Sequence, residues 1–420
     1  MTRSHIWHPF TQHGAAPEEI SIARAQGARL ITQSGRSIID AISSWWVITH
    51  GHGHPRIAKA ICEQAQQLEQ VIFAGFTHDP AERLAQKLLS RAPTSLSHAF
   101  FSDSGSTAVE VAVKMAVGAW HNRGKPRHRI IAMEHAYHGD MFGAMSVGHR
   151  GVFNAAWDSM LFEVDFIPFP ESGAEQRTLD ALESLLRREA DSFAAAILEP
   201  LVLGAGGMKM YAPAVLTRIA EICRHYGVWL ILDEVMTGFG RTGSLFACEQ
   251  ANVAPDVMCL SKGLTGGFLP MGVTLVSAEI YDAFYSPDRA RTFFHSSSYT
   301  GNAIACAAAV ANLEVWDSEP VMERIRSIAG RHATALKKLQ GRRKIAQVRQ
   351  AGTIAAVELK AGDSGYLAQS GPKLSAFYLE HDVLLRPLGN VIYVLPPYCV
   401  GAAELDRVYG VIDESLALAG

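Results

Sequence analysis

Short apolar runs alternate with longer segments of helical spacing through the first three-quarters of the chain. The runs are Ala99–Ser102, Arg129–Met133, Ala194–Leu198, Val228–Leu232 and Val257–Leu260. They lack polar alternation, which predicts strands buried on both faces, as in a parallel sheet. Between them, Thr107–His121 and Ala214–Tyr226 repeat apolar residues at helical spacing. Thr107–His121 is apolar nearly all round, with Val109, Val111, Val113, Met115 and Val117, so it is expected inside. Repeated strand–helix alternation predicts an α/β fold with a mostly parallel sheet covered on both faces.

The texture changes after Ala303–Trp316, another expected helix. Arg324–Leu339 reads as a basic amphipathic helix, Ile345–Leu359 as strands around Gly352, and Ser375–His381 as a helix. Leu384–Arg386 and Val391–Leu395 flank Pro387-Leu388-Gly389-Asn390 and are expected to pair as a hairpin. Glu404–Leu418 closes the chain as a helix. The pattern predicts a smaller α+β lobe. At 420 residues, two domains are the default.

Composition narrows the function classes. The 48% hydrophobic and 19% charged content fits a compact globular protein. A net charge of −3 without a basic block argues against nucleic acid or an anionic membrane as partner. Six scattered cysteines without a C-x-x-C pair argue against a disulfide framework. The N-terminal residues show no basic-then-apolar signal pattern. The longest uncharged stretch, Thr292–Leu313, is too polar to span a bilayer. A cytoplasmic protein is expected.

Candidate chemistry lies where the apolar runs end. Val228–Leu232 stops at Asp233 and Glu234, and Val257–Leu260 stops at Ser261-Lys262. Open parallel sheets place their chemistry at the carboxyl ends of strands. An acid and an amine at neighbouring strand ends are the two groups a pyridoxal phosphate enzyme needs. The amine binds the aldehyde covalently, and the acid keeps the pyridine nitrogen protonated.

Ser102-Asp103-Ser104-Gly105-Ser106-Thr107 follows a strand and opens a helix, a setting for phosphate. Alone, it reads better as an ordinary helix cap at Ser106 or Thr107, with Glu110 completing a capping box; the other cofactor groups nearby change that. Gly238–Gly243 matches G-x-G-x-x-G, but five residues separate Leu232 from its first glycine and no acid stands at the expected distance. His50, His52 and His54 alternate within HGHGHP, where glycines and Pro55 predict a turn with hydrogen-bonded histidines rather than a metal site. In an extended segment, Trp45 and Trp46 would face opposite sides, one toward the core and one toward a pocket. Tyr137-His138-Gly139-Asp140 lies just past a strand end, where an aromatic ring could stack on a cofactor. Arg386 could clamp a carboxylate.

These pieces occur together and in order, and the chain resembles the class III pyridoxal phosphate aminotransferases of fold type I over nearly its whole length. The segments SDSGSTAVEVAVKMA, HAYHGDMFGAMSVG, ILEPLVLGAGGM, LILDEVMTGFGRTG, LSKGLTGG and SYTGNAIACAAA carry the resemblance. Within the class, HIWHPFTQ, SSWW and RPLGNVIYVLPPY are most similar to the branch that aminates 8-amino-7-oxononanoate with S-adenosylmethionine in biotin synthesis. The resemblance implies a large cofactor-binding domain over 51–315, a small domain over 316–420, and an N-terminal segment, 1–50, packed with the small domain. It also implies a homodimer with a shared active site. A lysine donor, or a broader ω-amino acid:pyruvate range, is the alternative.

Carried over residue by residue, the resemblance makes Lys262 the cofactor-linking amine and Asp233 the partner of the pyridinium. It places Ser104, Gly105 and Ser106 at the phosphate. Tyr137 would stack on the ring and take part in catalysis, with Val235 against the opposite face. His138 and Glu199 join the cofactor set. Ser298, with Tyr299 beside it, matches a phosphate-binding position supplied by the other subunit. Phe10, Trp45, Trp46, Asp140, Arg241 and Arg386 would shape the substrate site. Two departures stand out: Ser298 replaces a threonine, keeping the hydroxyl, and Phe10 replaces a tyrosine that reaches the substrate amine. The lost hydrogen bond is typically worth about 0.5–1.5 kcal/mol.

Overall fold

The computed structural model describes residues 5–360 and 365–418. The outermost residues of the 1–50 and 316–420 divisions lie outside that range. Its centre is a seven-stranded sheet in the spatial order Leu96–Ser102, Gly272–Ser277, Val257–Leu260, Trp229–Asp233, Phe193–Leu198, Arg129–Met133, Asp165–Ile167. All pairings are parallel except the two made by Gly272–Ser277, which runs antiparallel to both neighbours. Every expected strand of this sheet is present to within a few residues. Gly272–Ser277 and Asp165–Ile167 were not anticipated. The first is interrupted by Gly272 and Thr274, and the second is three residues long.

Helix Gly105–Asn122 lies against the sheet with Val109, Val111, Ala112 and Ala116 fully buried. The indole of Trp120 donates to the Ala194 carbonyl at 3.0 Å, so the polar atom of that large core residue is satisfied. Pro213–His225 and Ala303–Ser318 also match the expected helices closely.

The C-terminal lobe is built on the antiparallel sheet Ile345–Ala351, Ile354–Leu359, Val391–Val394, flanked by helices Val321–Leu339, Ser370–Glu380 and Ala402–Ser415. The expected hairpin around Pro387–Asn390 does not form. Val383–Leu384 pairs in parallel with Ser37–Asp40 of an N-terminal sheet, whereas Val391–Val394 pairs with Ile354–Leu359. Only the isolated bridge Leu388↔Val391 closes the turn. Each strand finds a buried edge elsewhere, which outweighs local pairing of a short ribbon. Among the described residues, no helix is long and apolar enough to cross a membrane.

Candidate active site

Strand register brings the chemistry together. Trp229–Asp233 and Val257–Leu260 are adjacent and parallel, with Asp233 opposite Cys259. Lys262 therefore emerges beside Asp233 at the same sheet edge. That edge also receives Glu199 after Phe193–Leu198, Tyr137 and His138 after Arg129–Met133, and Ser104–Ser106 after Leu96–Ser102. A cavity of about 500 Å³ opens there. Its walls include Gly105, Ser106, Tyr137, Asp233, Val235 and Lys262.

Asp233 is buried, and its two oxygens are used separately. Oδ2 meets His138 Nδ1 at 2.7 Å, and Oδ1 accepts the Val235 amide at 3.0 Å. Both hold the carboxylate in one orientation. The next residue, Glu234, points the other way, into the protein. It accepts from the Thr237 hydroxyl and the amides of Ala247 and Cys248 at 2.6, 3.0 and 2.9 Å. Of the acidic pair, Asp233 therefore faces the cavity and Glu234 the protein interior.

Burial pushes the Glu234 carboxyl up to about 7, against those hydrogen bonds. Its folded value exceeds the unfolded one of about 4.3. The stability it contributes is thus complete below the unfolded value and is lost as pH rises through about 7. Thermal melts of the holoenzyme across that window are expected to fall less steeply with pH in Glu234→Gln than in the unsubstituted protein. Parallel profiles would remove Glu234 as the source.

Lys262 stands at φ 40°, in the left-handed region, at the start of a short 3₁₀ turn. Its Nζ lies 4.8 Å from the centre of the Trp46 ring. Burial lowers the ammonium pKa, opposed by Asp233 and Glu199 and assisted by Arg241. The enclosure thus favours the neutral amine, the form able to act as nucleophile or base.

The phosphate-type loop is capped differently from expectation. Ser104 caps helix Gly105–Asn122: its hydroxyl accepts the Thr107 amide, and the Thr107 hydroxyl accepts the Ser104 amide at 2.8 Å. Glu110 is not part of the box; it accepts the Gly143 amide at 2.6 Å. Ser106 Oγ accepts the Met141 amide at 3.0 Å. A Cβ on Gly105 would stand 2.6 Å from Val235 Cγ1, so only glycine lets this backbone approach the wall.

Glu199 bridges two backbone amides, those of Tyr137 at 3.0 Å and Gly204 at 2.9 Å, and burial raises its carboxyl to about 7. Burial, followed by Asp140, likewise raises the Tyr137 phenol, which stays neutral.

The outer part of the cavity is aromatic. Phe10 packs on Trp45 (5.6 Å), Phe153 (6.0 Å) and Tyr366 (6.4 Å). The Arg386 guanidinium lies 4.9 Å from the Trp45 ring and donates to the Phe10 carbonyl and the Tyr366 hydroxyl. Phe153 and Tyr366 were missed from sequence; each is a lone aromatic in a loop, with no motif to mark it. Tyr393 was also missed. Its hydroxyl accepts the Trp46 indole N–H at 2.9 Å.

Trp45 is half-exposed and Trp46 buried, at 42% and 5% exposure, yet both line the cavity, and the segment is not an extended strand. They sit on the tight turn Ser43–Trp46, where Ser43, Ser44 and Trp46 have φ of 53°, 58° and 67°. Asp40 holds this costly backbone by accepting the Ser44 amide and hydroxyl and by meeting His52 Nε2 at 2.8 Å. Arg241 holds it from behind. Fully buried, it donates to the carbonyls of Trp46, Ile48 and Pro396 and does not line the cavity, so its role is to support Trp46 rather than touch substrate.

Of the alternating histidines, His52 pairs with Asp40 and His54 with Glu319 at 3.0 Å, while His50 is buried with neither ring nitrogen hydrogen-bonded. Among the described residues, no cluster of histidine, cysteine and carboxylate side chains could hold a metal. No α-helix begins at Gly238–Gly243, as a dinucleotide fingerprint requires. Gly240, at φ 92°, is needed because a Cβ would stand 2.6 Å from both Ile325 and Trp316. Ser298 and Tyr299 are exposed and do not reach their own chain's cavity.

The Aminotransferase class-III family model matches residues 10–416. The chain belongs to the class III aminotransferases. It is 48% identical over 419 residues to the adenosylmethionine-8-amino-7-oxononanoate aminotransferase of Synechococcus elongatus, covering 98% of each chain. It is 37% identical to that of Geobacter sulfurreducens, covering 99% of this chain and 96% of the relative. The crystal structure of the Methanocaldococcus jannaschii adenosylmethionine-8-amino-7-oxononanoate aminotransferase superimposes with a TM-score of 0.94 at 34% identity, covering 99% and 97%. An amine transaminase from an uncultivated Pseudomonas species, solved in its PLP-bound form, gives 0.92 at 29% identity, covering all of both chains.

The class III cavity fits pyridoxal phosphate. It offers a part-buried amine whose pKa is lowered, a fixed buried carboxylate, a glycine-tight loop at a helix start, and Tyr137 and Val235 in its walls.

Proposed function

We propose that this class III enzyme transfers the amino group of S-adenosylmethionine to 8-amino-7-oxononanoate, giving 7,8-diaminononanoate for biotin synthesis. The observation that carries the reading is the aromatic corridor from Lys262 past Trp45 and Phe10 to Arg386. It suits a long aliphatic acceptor ending in a carboxylate. The names of these similar proteins support the same substrates.

Lys262 and Asp233 would hold pyridoxal phosphate at its aldehyde and pyridine ends, and Ser104, Gly105 and Ser106 would hold its phosphate. Once bound, the cofactor supplies an electron sink for the carbon bearing the amine. The neutral Lys262 Nζ takes the proton from that carbon and returns it in the opposite half-reaction. Asp233, fixed by His138 and the Val235 amide, would keep the pyridine nitrogen of the bound cofactor cationic. Tyr137 and the aromatic wall exclude water from the reacting face. The reaction is ping-pong because both substrates must use this one pocket in turn, the deaminated donor leaving before the acceptor enters.

The active form is a cytoplasmic homodimer in this reading. Ser298 and Tyr299, exposed and away from their own cavity, are available to a second copy's phosphate site. The pairing of Val383–Leu384 with Ser37–Asp40 supports grouping residues 1–50 with 316–420 beside the cofactor domain of 51–315. A relative using lysine, or one with a broader amine range, is the second reading, favoured by Phe10 and by the amine transaminases among the structural neighbours.

A screen of purified holoenzyme with S-adenosylmethionine, lysine and alanine as donors separates these. Turnover with S-adenosylmethionine alone is expected; preference for lysine or alanine would refute the proposal. Arg386→Ala is expected to raise KM for the acceptor about tenfold or more, from loss of about 1.5–3 kcal/mol of charged hydrogen bonding. The donor half-reaction should change far less. Equal losses in both would remove the clamp role.

A further inference from the structure

Helix Ala303–Ser318 buries alanine, valine and leucine side chains along most of its length, and among them it buries Asn312 completely. Asparagine is a poor helix former, and a buried amide without partners is costly. Asn312 has partners, and they lie in the turn that carries Lys262. Its Nδ2 donates to the carbonyls of Gly263 at 3.0 Å and Leu264 at 2.9 Å. Carbonyls only accept, so both amide hydrogens are spent on the two residues after the lysine.

That turn needs support. It is a 3₁₀ segment, Lys262–Thr265, entered at Lys262 in the left-handed region, φ 40°, and left at Gly266, φ 65°. Its backbone bonds run from the Leu264 amide to the Ser261 carbonyl at 2.9 Å and from the Gly266 amide to the Gly263 carbonyl at 3.1 Å. So short a helix leaves its last carbonyls without successors to bond them. A residue with a side chain at positive φ persists only where its surroundings hold it. Asn312 supplies the missing donors. The fit is close: a Cβ on Gly266 would stand 3.0 Å from Asn312 Oδ1.

The hydroxyls of Ser261 and Thr265 donate to the carbonyls of Met271 and Leu269, which ties the turn to its own downstream loop. Asn312 ties it to a buried helix and to the opposite wall. Thr49 Oγ1 donates to Asn312 Oδ1 across a long 3.5 Å. Thr49 follows Ile48, whose carbonyl accepts Arg241 together with that of Trp46. The Trp46 ring in turn lies 4.8 Å from Lys262 Nζ. The turn beneath the lysine and the ring beside it are therefore referred to one amide.

We propose that Asn312 is a positioning residue for Lys262, fixing the backbone turn from which the amine projects without touching substrate or cofactor. The inference rests on the reading of Lys262 as the reacting amine. Asn312 does not line the cavity, so its removal should change where the amine sits rather than what the cavity binds. A displacement of about 1 Å suffices to cost about 10²-fold in rate.

The test uses the holoenzyme. Asn312→Leu keeps a branched side chain and removes both donors. Asn312→Ala also removes them and leaves room for water, should leucine prevent folding. Leu313→Ala, at the next and equally buried residue of the helix, controls for a loosened core. Hydrogen exchange in the peptide spanning Ser261–Gly266 is expected to quicken about tenfold or more in the Asn312 variants and to stay near its original rate in Leu313→Ala. The maximal rates of both half-reactions should fall about tenfold or more, while KM for donor and acceptor changes less than about threefold. Unchanged exchange across the turn, a larger effect on KM than on rate, or the same losses in Leu313→Ala would overturn the proposal. If borohydride fixes the cofactor to another lysine, the reading of Lys262 fails on its own. Exchange across the turn still decides whether Asn312 holds it: faster exchange supports the hold, and no change refutes it.

Discussion

Lys262→Ala is expected to abolish transamination with every donor and to remove the visible absorbance of the lysine-linked cofactor. Loss of a positioned base alone typically costs about 10²–10⁴-fold. In the proposed mechanism the same nitrogen also makes the covalent link, so the combined loss should exceed that range. Substitution should leave the fold intact, because the described contact of Nζ is with the Trp46 ring rather than an ion pair that would be broken. The check is single-turnover kinetics with added cofactor, beside a melting curve. A variant with a normal melt and more than a hundredth of the original rate would contradict the assignment.

Asp233→Asn should lower kcat by about 10²–10³-fold in both half-reactions, the scale for removing a preorganised group of about 2.7–4 kcal/mol from the place where charge develops. The amide retains the shape of the carboxylate and an acceptor for either the Val235 amide or His138, but not a charge. The equal effect on donor and acceptor distinguishes this residue from Arg386, whose effect is confined to the acceptor. Unequal losses, or a fall of less than tenfold, would mean that the ring nitrogen is governed by something other than Asp233.

Much of this arrangement was legible because the chain ends its buried strands abruptly. Val228–Leu232 and Val257–Leu260 are uninterrupted, and polar chemistry begins at the next residues. A parallel sheet then has one edge on which Asp233 and Lys262 can meet. The helix Gly105–Asn122 was equally plain, since few segments are apolar on every face. What escaped notice depends on distant pairing. Gly272–Ser277 is a strand because edges on both sides accept it, and Val383–Leu384 leaves its expected hairpin for Ser37–Asp40. Neither choice is written in local periodicity.

The same limit applies to the cavity wall. Trp45 and Trp46 were visible as an unusual pair, but the left-handed turn that separates them depends on Asp40 and Arg241, which belong to other segments. Arg241 sits inside a glycine-rich motif that suggested binding, yet its donors go to carbonyls behind the pocket. Phe153 and Tyr366 carry no spacing signal and become part of the site only through the loops that bring them to Phe10.

The central claim is that the amine at Lys262 is where pyridoxal phosphate attaches. Borohydride reduction of the holoenzyme followed by peptide mass mapping tests it directly. A reduced pyridoxyl adduct is expected on the peptide containing Lys262, and none after incubation with excess amino donor. An adduct on another lysine, such as Lys114 or Lys209, or none on Lys262, would contradict it.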